Sequence, residues 1–262
     1  MRSAYVLIPA ITLVLALVLA CAGTSHETPA SRVKEGAKLY SQYCVECHGA
    51  DGKGLGPAAK SLGLVCRDFT AAIFEFRTTP SGYLPTDQDL YRTISKGIRL
   101  SMEPAKNMRP FKDLTSNQRW ALVQYIKTFS PRWNDPEEHA EPIVIPDPPP
   151  ATRAAIAQGK ELWEKVQCWH CHGREGRGDG PSAAGLKDYR GYPSPPADLT
   201  KPELIEGGST PKDIYRTFTT GLNGTPMPSF GDSLDDAQRW DLVYYVLTFG
   251  LGDEGVLDRY GK

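Results

Sequence analysis

The sequence predicts an all-α chain built from two tandem domains of one kind. Three observations predict it: blocks of sequence recur in the same order in two halves, apolar residues within each half fall at helical spacing, and no convincing strand-like alternation appears. "GAKLYSQYCVECHGADGKGLGP" (36–57) matches "GKELWEKVQCWHCHGREGRGDGP" (159–181) with a one-residue gap. "DLYRTISKGI" (89–98) matches "DIYRTFTTGL" (213–222), and "QRWALVQYIKTF" (118–129) matches "QRWDLVYYVLTF" (238–249). Recurrence of several blocks in register, at a period of about a hundred residues, marks a duplicated domain.

The chain opens on Arg2 and the apolar run "VLIPAITLVLALVLA" (6–20), followed by Cys21 and the small, polar "AGTSHETPAS". A basic start, a short apolar core and small residues at its end describe an export signal, 1–21. The run is shorter than the ~20 residues a membrane-spanning helix needs. Cys21 stands where a bacterial lipoprotein signal places its acylated cysteine; a plain secretory cut near "ACA" and an uncleaved helical anchor are the competing readings. Residues 22–31 then form a flexible tether to the first domain, 32–135.

The segment 136–150, "PEEHAEPIVIPDPPP", has four acidic residues and six prolines, so it cannot sustain a helix and reads as a stiff, extended linker. The second domain follows at 151–262. Each copy has the same coarse plan: a helix leads into a Cys-His motif, and a Gly/Pro-rich loop comes next. A shorter helix begins near Asp87 or Thr210, and a last helix near Thr115 or Asp235. Trp120, Val123 and Ile126, then Trp240, Val243 and Val246, space the apolar face of that last helix. Domains of this size hold few apolar side chains, and another group is expected to help fill the interior.

Four of the six cysteines lie in "CVECHG" (44–49) and "CWHCHG" (168–173). On one helical turn, cysteines at i and i+3 reach the two vinyl groups of a haem, and histidine at i+4 points at its iron. The spacing therefore predicts two covalently bound haem c groups, held by Cys44, Cys47 and His48 and by Cys168, Cys171 and His172. A Cys₄ zinc site needs both pairs in one place, whereas each lies in its own repeat. A redox Cys-x-x-Cys explains neither the repeated His-Gly nor the lack of a βαβ pattern. Without Cys21 the exported chain has five cysteines, an odd number that suits a disulfide framework poorly.

The second axial position of each iron wants a soft or imidazole ligand. Of the five histidines, two belong to the motifs, His170 is a variable position inside one of them, His26 lies in the tether and His139 in the linker, which leaves methionine. Met227 in "GTPMPSF" stands 55 residues after His172. In the first repeat "SMEPAKNMRPF" offers Met102 and Met108. Met108 shares with Met227 a phenylalanine three residues later and nearly the same spacing to the last-helix tryptophan; counting from the preceding glycine favours Met102. Met108 is the preferred candidate, and packing in a core gap is the alternative for either residue.

With "CVECHG" and "MRPF", then "CWHCHG" and "MPSF", the chain resembles tandem class I cytochrome c over about 32–133 and 151–250. The resemblance implies two such domains, each a few helices wrapped round one covalent haem. It also implies that the first and last helices cross through a glycine and an aromatic, here Gly36 with Tyr125 and Gly159 with Tyr245. "PPADLT" (195–200) and its counterpart "VCRDFT" (65–70) match the segment that braces the histidine side of the haem, so Cys66 aligns with Pro196. Cys66 reads as a small buried hydrophobe, with a catalytic iron ligand as the alternative. "FRTTPSGYLPTDQDLYRT" resembles exported cytochromes associated with respiratory oxidoreductases.

Residues 32–135 carry 16 Lys/Arg against 10 Asp/Glu, a net +6; residues 151–262 carry 13 against 16, a net −3. Arg92, Lys96, Arg99, Lys106, Arg109 and Lys112 surround the first methionine loop, whereas Asp232, Asp235 and Asp236 follow the second. Solvated faces are the plain reading; steering of two different partners, an acidic one at the first domain, is the functional one. A net charge of −1 gives no case for nucleic acid. The expectation is a periplasmic dihaem electron carrier, lipid-anchored through Cys21, without catalytic residues, relaying electrons between a respiratory donor and acceptor. A dihaem enzyme of peroxidase or thiosulfate dehydrogenase type, and a permanent cytochrome subunit of a larger oxidoreductase, are the alternatives.

Overall fold

The computed structural model describes residues 28–262, so the expected export signal and Cys21 lie outside the described residues. Helix α1 (Pro29–Tyr43) takes in residues 29–31, which the sequence pattern assigned to the tether. The cause is local: Thr28 accepts a hydrogen bond from the Ser31 N–H at 3.1 Å, and Pro29 supplies a preset φ at the first helical position. The motif turn α2 (Val45–His48) and α3 (Pro57–Leu62) follow, then α4 (Asp87–Lys96) and α5 (Ser116–Lys127). The second half repeats the order with α6 (Arg153–Lys165), α7 (Trp169–His172), α8 (Pro211–Thr220) and α9 (Asp236–Tyr260). Thr86, Thr115 and Asp235 each form a reciprocal capping box, and Thr210 caps α8, each cap contributing about 1 kcal/mol. Among the described residues there is no strand, only two isolated bridges. No described helix is long and apolar enough to cross a membrane.

Each half packs its own core. In the first, Tyr40 is 2% exposed, and its ring lies among Phe69, Tyr125 and Phe129. In the second, Trp163 takes the corresponding place, 1% exposed, among Tyr245 and Phe249. The first and last helices of each half cross at a glycine. A Cβ on Gly36 lies 2.1 Å from the Ala121 carbonyl oxygen and 2.7 Å from the Tyr125 Cβ. One on Gly159 lies 2.1 Å from the Asp241 oxygen and 2.8 Å from the Tyr245 Cβ. The backbones meet there without room for a methyl group.

Helix α9 turns at Gly252 (φ 71°), and its last turns bring Val256 into the core and the Tyr260 carbonyl to the Ala151 N–H at 2.8 Å. The proline-rich stretch is extended beyond a short 3₁₀ turn at Pro136–Glu138, and it lies bonded along both halves. Glu138 pairs with Arg132 and accepts from the Leu84 N–H through its carbonyl. Ile143 donates to the Thr78 carbonyl at 2.7 Å, Asp147 pairs with Lys212 at 2.7 Å, and the Pro149 carbonyl accepts from the Tyr244 hydroxyl.

Replacing Gly159 with alanine is expected to cost about 3 kcal/mol, because the obstacle is a backbone carbonyl that cannot swing aside. Urea unfolding followed by helical circular dichroism checks this; an unchanged midpoint contradicts the close crossing.

Candidate haem sites

The sequence Cys-x-x-Cys-His closes into one helical turn in each half. The His48 N–H donates to the Cys44 carbonyl at 2.9 Å, and His172 to Cys168 at 3.0 Å. The glycine-rich loop then folds over that turn. Gly54 donates to the His48 carbonyl and Gly178 to the His172 carbonyl, both at 2.8 Å, while Gly56 and Gly180 donate to Cys47 and Cys171 at 3.0 and 3.1 Å. A Cβ on Gly56 lies 2.3 Å from the Glu46 oxygen, which is why this close strap needs glycine.

The imidazoles are fixed by the main chain. Nδ1 of His48 lies 3.3 Å from the Arg67 carbonyl oxygen, and Nδ1 of His172 lies 3.3 Å from that of Ala197. Burial pushes His48 down to about 4 and lowers His172 as well, so both rings are neutral at pH 7. A neutral ring whose Nδ1 faces a carbonyl carries its proton there, and Nε2 keeps the lone pair. That is the tautomer and second-atom anchor of a metal-ligating histidine. Phe69 stacks on the His48 ring at 4.6 Å, and Trp163 lies 5.9 Å from the His172 ring.

None of the five described cysteines is in a disulfide. Burial disfavours a bare thiolate at Cys44 and Cys168, pushing both up to about 12. Cys66 is half-buried, and burial followed by the neighbouring Cys47 pushes it to about 11. It adjoins Arg67, so it stands on the histidine side of the site.

The methionines separate by their backbone bonds. Met108 exchanges two hydrogen bonds with Ile98, at 2.8 and 3.0 Å, directly after the Gly97 that ends α4. The Met227 carbonyl accepts from Leu222 at 3.1 Å, directly after the Gly221 that ends α8. Phe111 then donates to Ile94, and Phe230 to Phe218. Met108 therefore occupies the place equivalent to Met227, and both pack half-buried against their cores. Met102 is 65% exposed, with Arg99 donating to its sulfur at 3.3 Å. The extra residues of the first loop bulge outward between Ile98 and Met108, which is why a count from the preceding glycine pointed to Met102. The Arg67 and Ala197 carbonyls had no sequence signal of their own beyond the bracing segment.

Residues 156–250 match the family model for cytochrome c, and residues 31–126 match that for cytochrome C oxidase, cbb3-type, subunit III. A chain of the reducing HAO-like protein complex of Kuenenia stuttgartiensis is similar at 45% identity and a TM-score of 0.77. The alignment covers 82% of this chain and 96% of that one. The chain belongs to the cytochrome c family. No curated protein sequence matches it.

As a tandem cytochrome c, the protein carries covalently bound haem c with iron in each of two domains. The residues present fit that group: each half offers a pair of reduced thiols and a neutral imidazole whose Nδ1 is already spent on a carbonyl. Acid–acetone extraction is expected to leave the haem on the polypeptide, with a haemochrome ratio of two per chain; a ratio near one contradicts the duplication of function.

Proposed function

We propose that the protein is a periplasmic, lipid-anchored dihaem cytochrome that relays electrons between respiratory redox partners. Cys44 and Cys47, and Cys168 and Cys171, attach the haems; His48 with Met108, and His172 with Met227, are the axial pairs. The observation that carries the reading is the equivalence of the two halves: each brings one carbonyl-anchored imidazole and one methionine whose carbonyl accepts from the residue after the glycine that ends the preceding helix.

When bound, haem c supplies a one-electron couple, and methionine ligation places it higher than two imidazoles would. The chain's own residues hold that couple still. The carbonyls of Arg67 and Ala197 fix the rings, backbone bonds to Ile98 and Leu222 hold Met108 and Met227, and aromatic rings pack beside each motif, Tyr40, Phe69 and Phe129 in the first half and Trp163 and Phe249 in the second. With His48 and Met108, and His172 and Met227, as the residues that would hold the two irons, no open site would be left for a substrate, which favours relay over catalysis. Cys66, beside Cys47 rather than in a methionine loop, also speaks against the enzyme reading.

Lys96, Arg99, Arg109 and Lys112 are exposed around the first methionine loop, a face suited to an acidic partner, whereas Arg92 is drawn inward to Asp89. In the second domain Asp235 and Asp236 are occupied by the start of α9 and by Arg239. The similarity to a chain of a protein complex supports a second reading, a permanent electron-transfer subunit of a larger oxidoreductase.

Met108→Ala and Met227→Ala are each expected to abolish one thioether-to-iron absorption band, lower that haem's potential and admit carbon monoxide, while Met102→Ala leaves both bands intact. Loss of a band in Met102→Ala but not in Met108→Ala reverses the assignment. Cys21→Ser is expected to release the protein from membranes or stall its processing, since multiple acyl chains hold firmly where one does not. A wild-type chain recovered in the soluble fraction, beginning after Ala22, contradicts the anchor.

A further inference from the structure

One side chain reaches from the first domain into the second. Arg77 is 0% exposed, and its guanidinium donates to the carbonyls of Thr220 at 2.6 Å and Gly221 at 3.4 Å. In its own loop it donates to Pro80 at 3.2 Å and Glu75 at 3.4 Å. Thr220 and Gly221 end α8, where the last carbonyls have no intrahelical donor and form the negative end of the helix dipole. The next residue, Leu222, bonds the Met227 carbonyl. The guanidinium thus seals the hinge from which the Met227 loop departs. Asn223 in that loop makes a second link, its Oδ1 accepting from the Gly82 N–H at 3.1 Å and from Ser81 Oγ at 3.3 Å.

The loop presenting Arg77 is itself held. Thr78 donates twice to Asp89 at 2.9 Å, Thr79 donates to the Leu84 carbonyl at 2.7 Å, and the linker's Ile143 binds the Thr78 carbonyl. The stretch from Thr70 to Asp89 is six residues longer than its counterpart from Thr200 to Asp213, and this extra length makes the reach. Burial lowers the Arg77 pKa to about 10, with Asp89 opposing the shift, so the group is charged at neutral pH. Burying that charge is costly unless every donor is matched.

We propose that Arg77 is a positioning residue for the second haem: from the neighbouring domain it holds the Met227 loop in its ligating conformation. The inference rests on Met227 being an axial ligand. Its consequence is that the strength of the methionine bond in the second domain depends on the docking of the first.

The test uses the full-length holoprotein in a Met108→Ala background, so that the remaining thioether-to-iron band reports the second haem alone. Imidazole is titrated until that band is lost. Arg77→Met is expected to lower the imidazole concentration needed about tenfold, equivalent to about 1.4 kcal/mol, and to lower that haem's potential. Arg77→Lys keeps the charge but offers one donor atom for carbonyls that need a fork, and Asn223→Ala leaves Arg77 in place; each is expected to shift the titration about threefold. A lower melting temperature with unchanged titration and potential in these variants makes Arg77 merely structural and overturns the proposal. Should Arg77→Met fail to fold or load haem, the other two variants decide by the same readout. If Met227→Ala leaves the band in place, the ligand reading itself falls, a result distinct from failure of Arg77 alone.

Discussion

A histidine exposed to water exchanges its proton between two ring nitrogens, and a buried one takes whichever its surroundings enforce. In both halves of this cytochrome the enforcement comes from a main-chain carbonyl, Arg67 or Ala197, facing Nδ1. The carbonyl can do this only because the bracing segment is pinned. Phe69 donates to Gly52 and Leu199 to Gly176, and the glycine strap in turn bonds the motif turn itself. The orientation of one imidazole thus depends on a chain of backbone bonds that starts and ends on the Cys-x-x-Cys-His turn. A neutral, aimed Nε2 is the product of that closed circuit.

The helix crossing supplies the frame. Glycine at the contact lets α1 and α5, and α6 and α9, approach until backbone meets backbone, and the aromatic residues beside the crossing form one wall of each site. The two halves fill that wall differently, with Tyr40 in one and Trp163 in the other. The tyrosine donates to the Gly49 carbonyl at 2.7 Å, whereas the Trp163 indole N–H has no hydrogen-bond partner among the described residues. Equivalent geometry is therefore reached with different polarity beside the two motifs, a physical basis for two unequal haem environments in one chain.

Polar, directional contacts join the domains. Arg77 grips the end of α8, and Arg190 of the second domain returns the contact by donating to the Cys66 carbonyl at 3.0 Å. The histidine-side segment of the first site and the methionine loop of the second are thereby drawn to the same boundary. The extended linker is bonded to both domains and adds to this coupling.

Much of this was legible in the sequence. The recurring blocks, the helical spacing of Trp120 to Ile126 and Trp240 to Val246, and the helix starts near Asp87, Thr115, Thr210 and Asp235 determined two all-helical domains, because each is a local signal that needs no distant partner. The Cys-x-x-Cys-His turns were legible for the same reason. Only the tertiary structure decided that Met108 rather than Met102 stands where Met227 stands. A loop insertion changes the count from the preceding glycine, while the bridge to Ile98 is set by how the backbone pairs across the folded loop, which no count records. It alone also showed that residues 29–31 join α1, and that Arg77 leaves its own domain to cap a helix 143 residues away. Such contacts depend on where two folded halves meet, and spacing along one chain carries no measure of that.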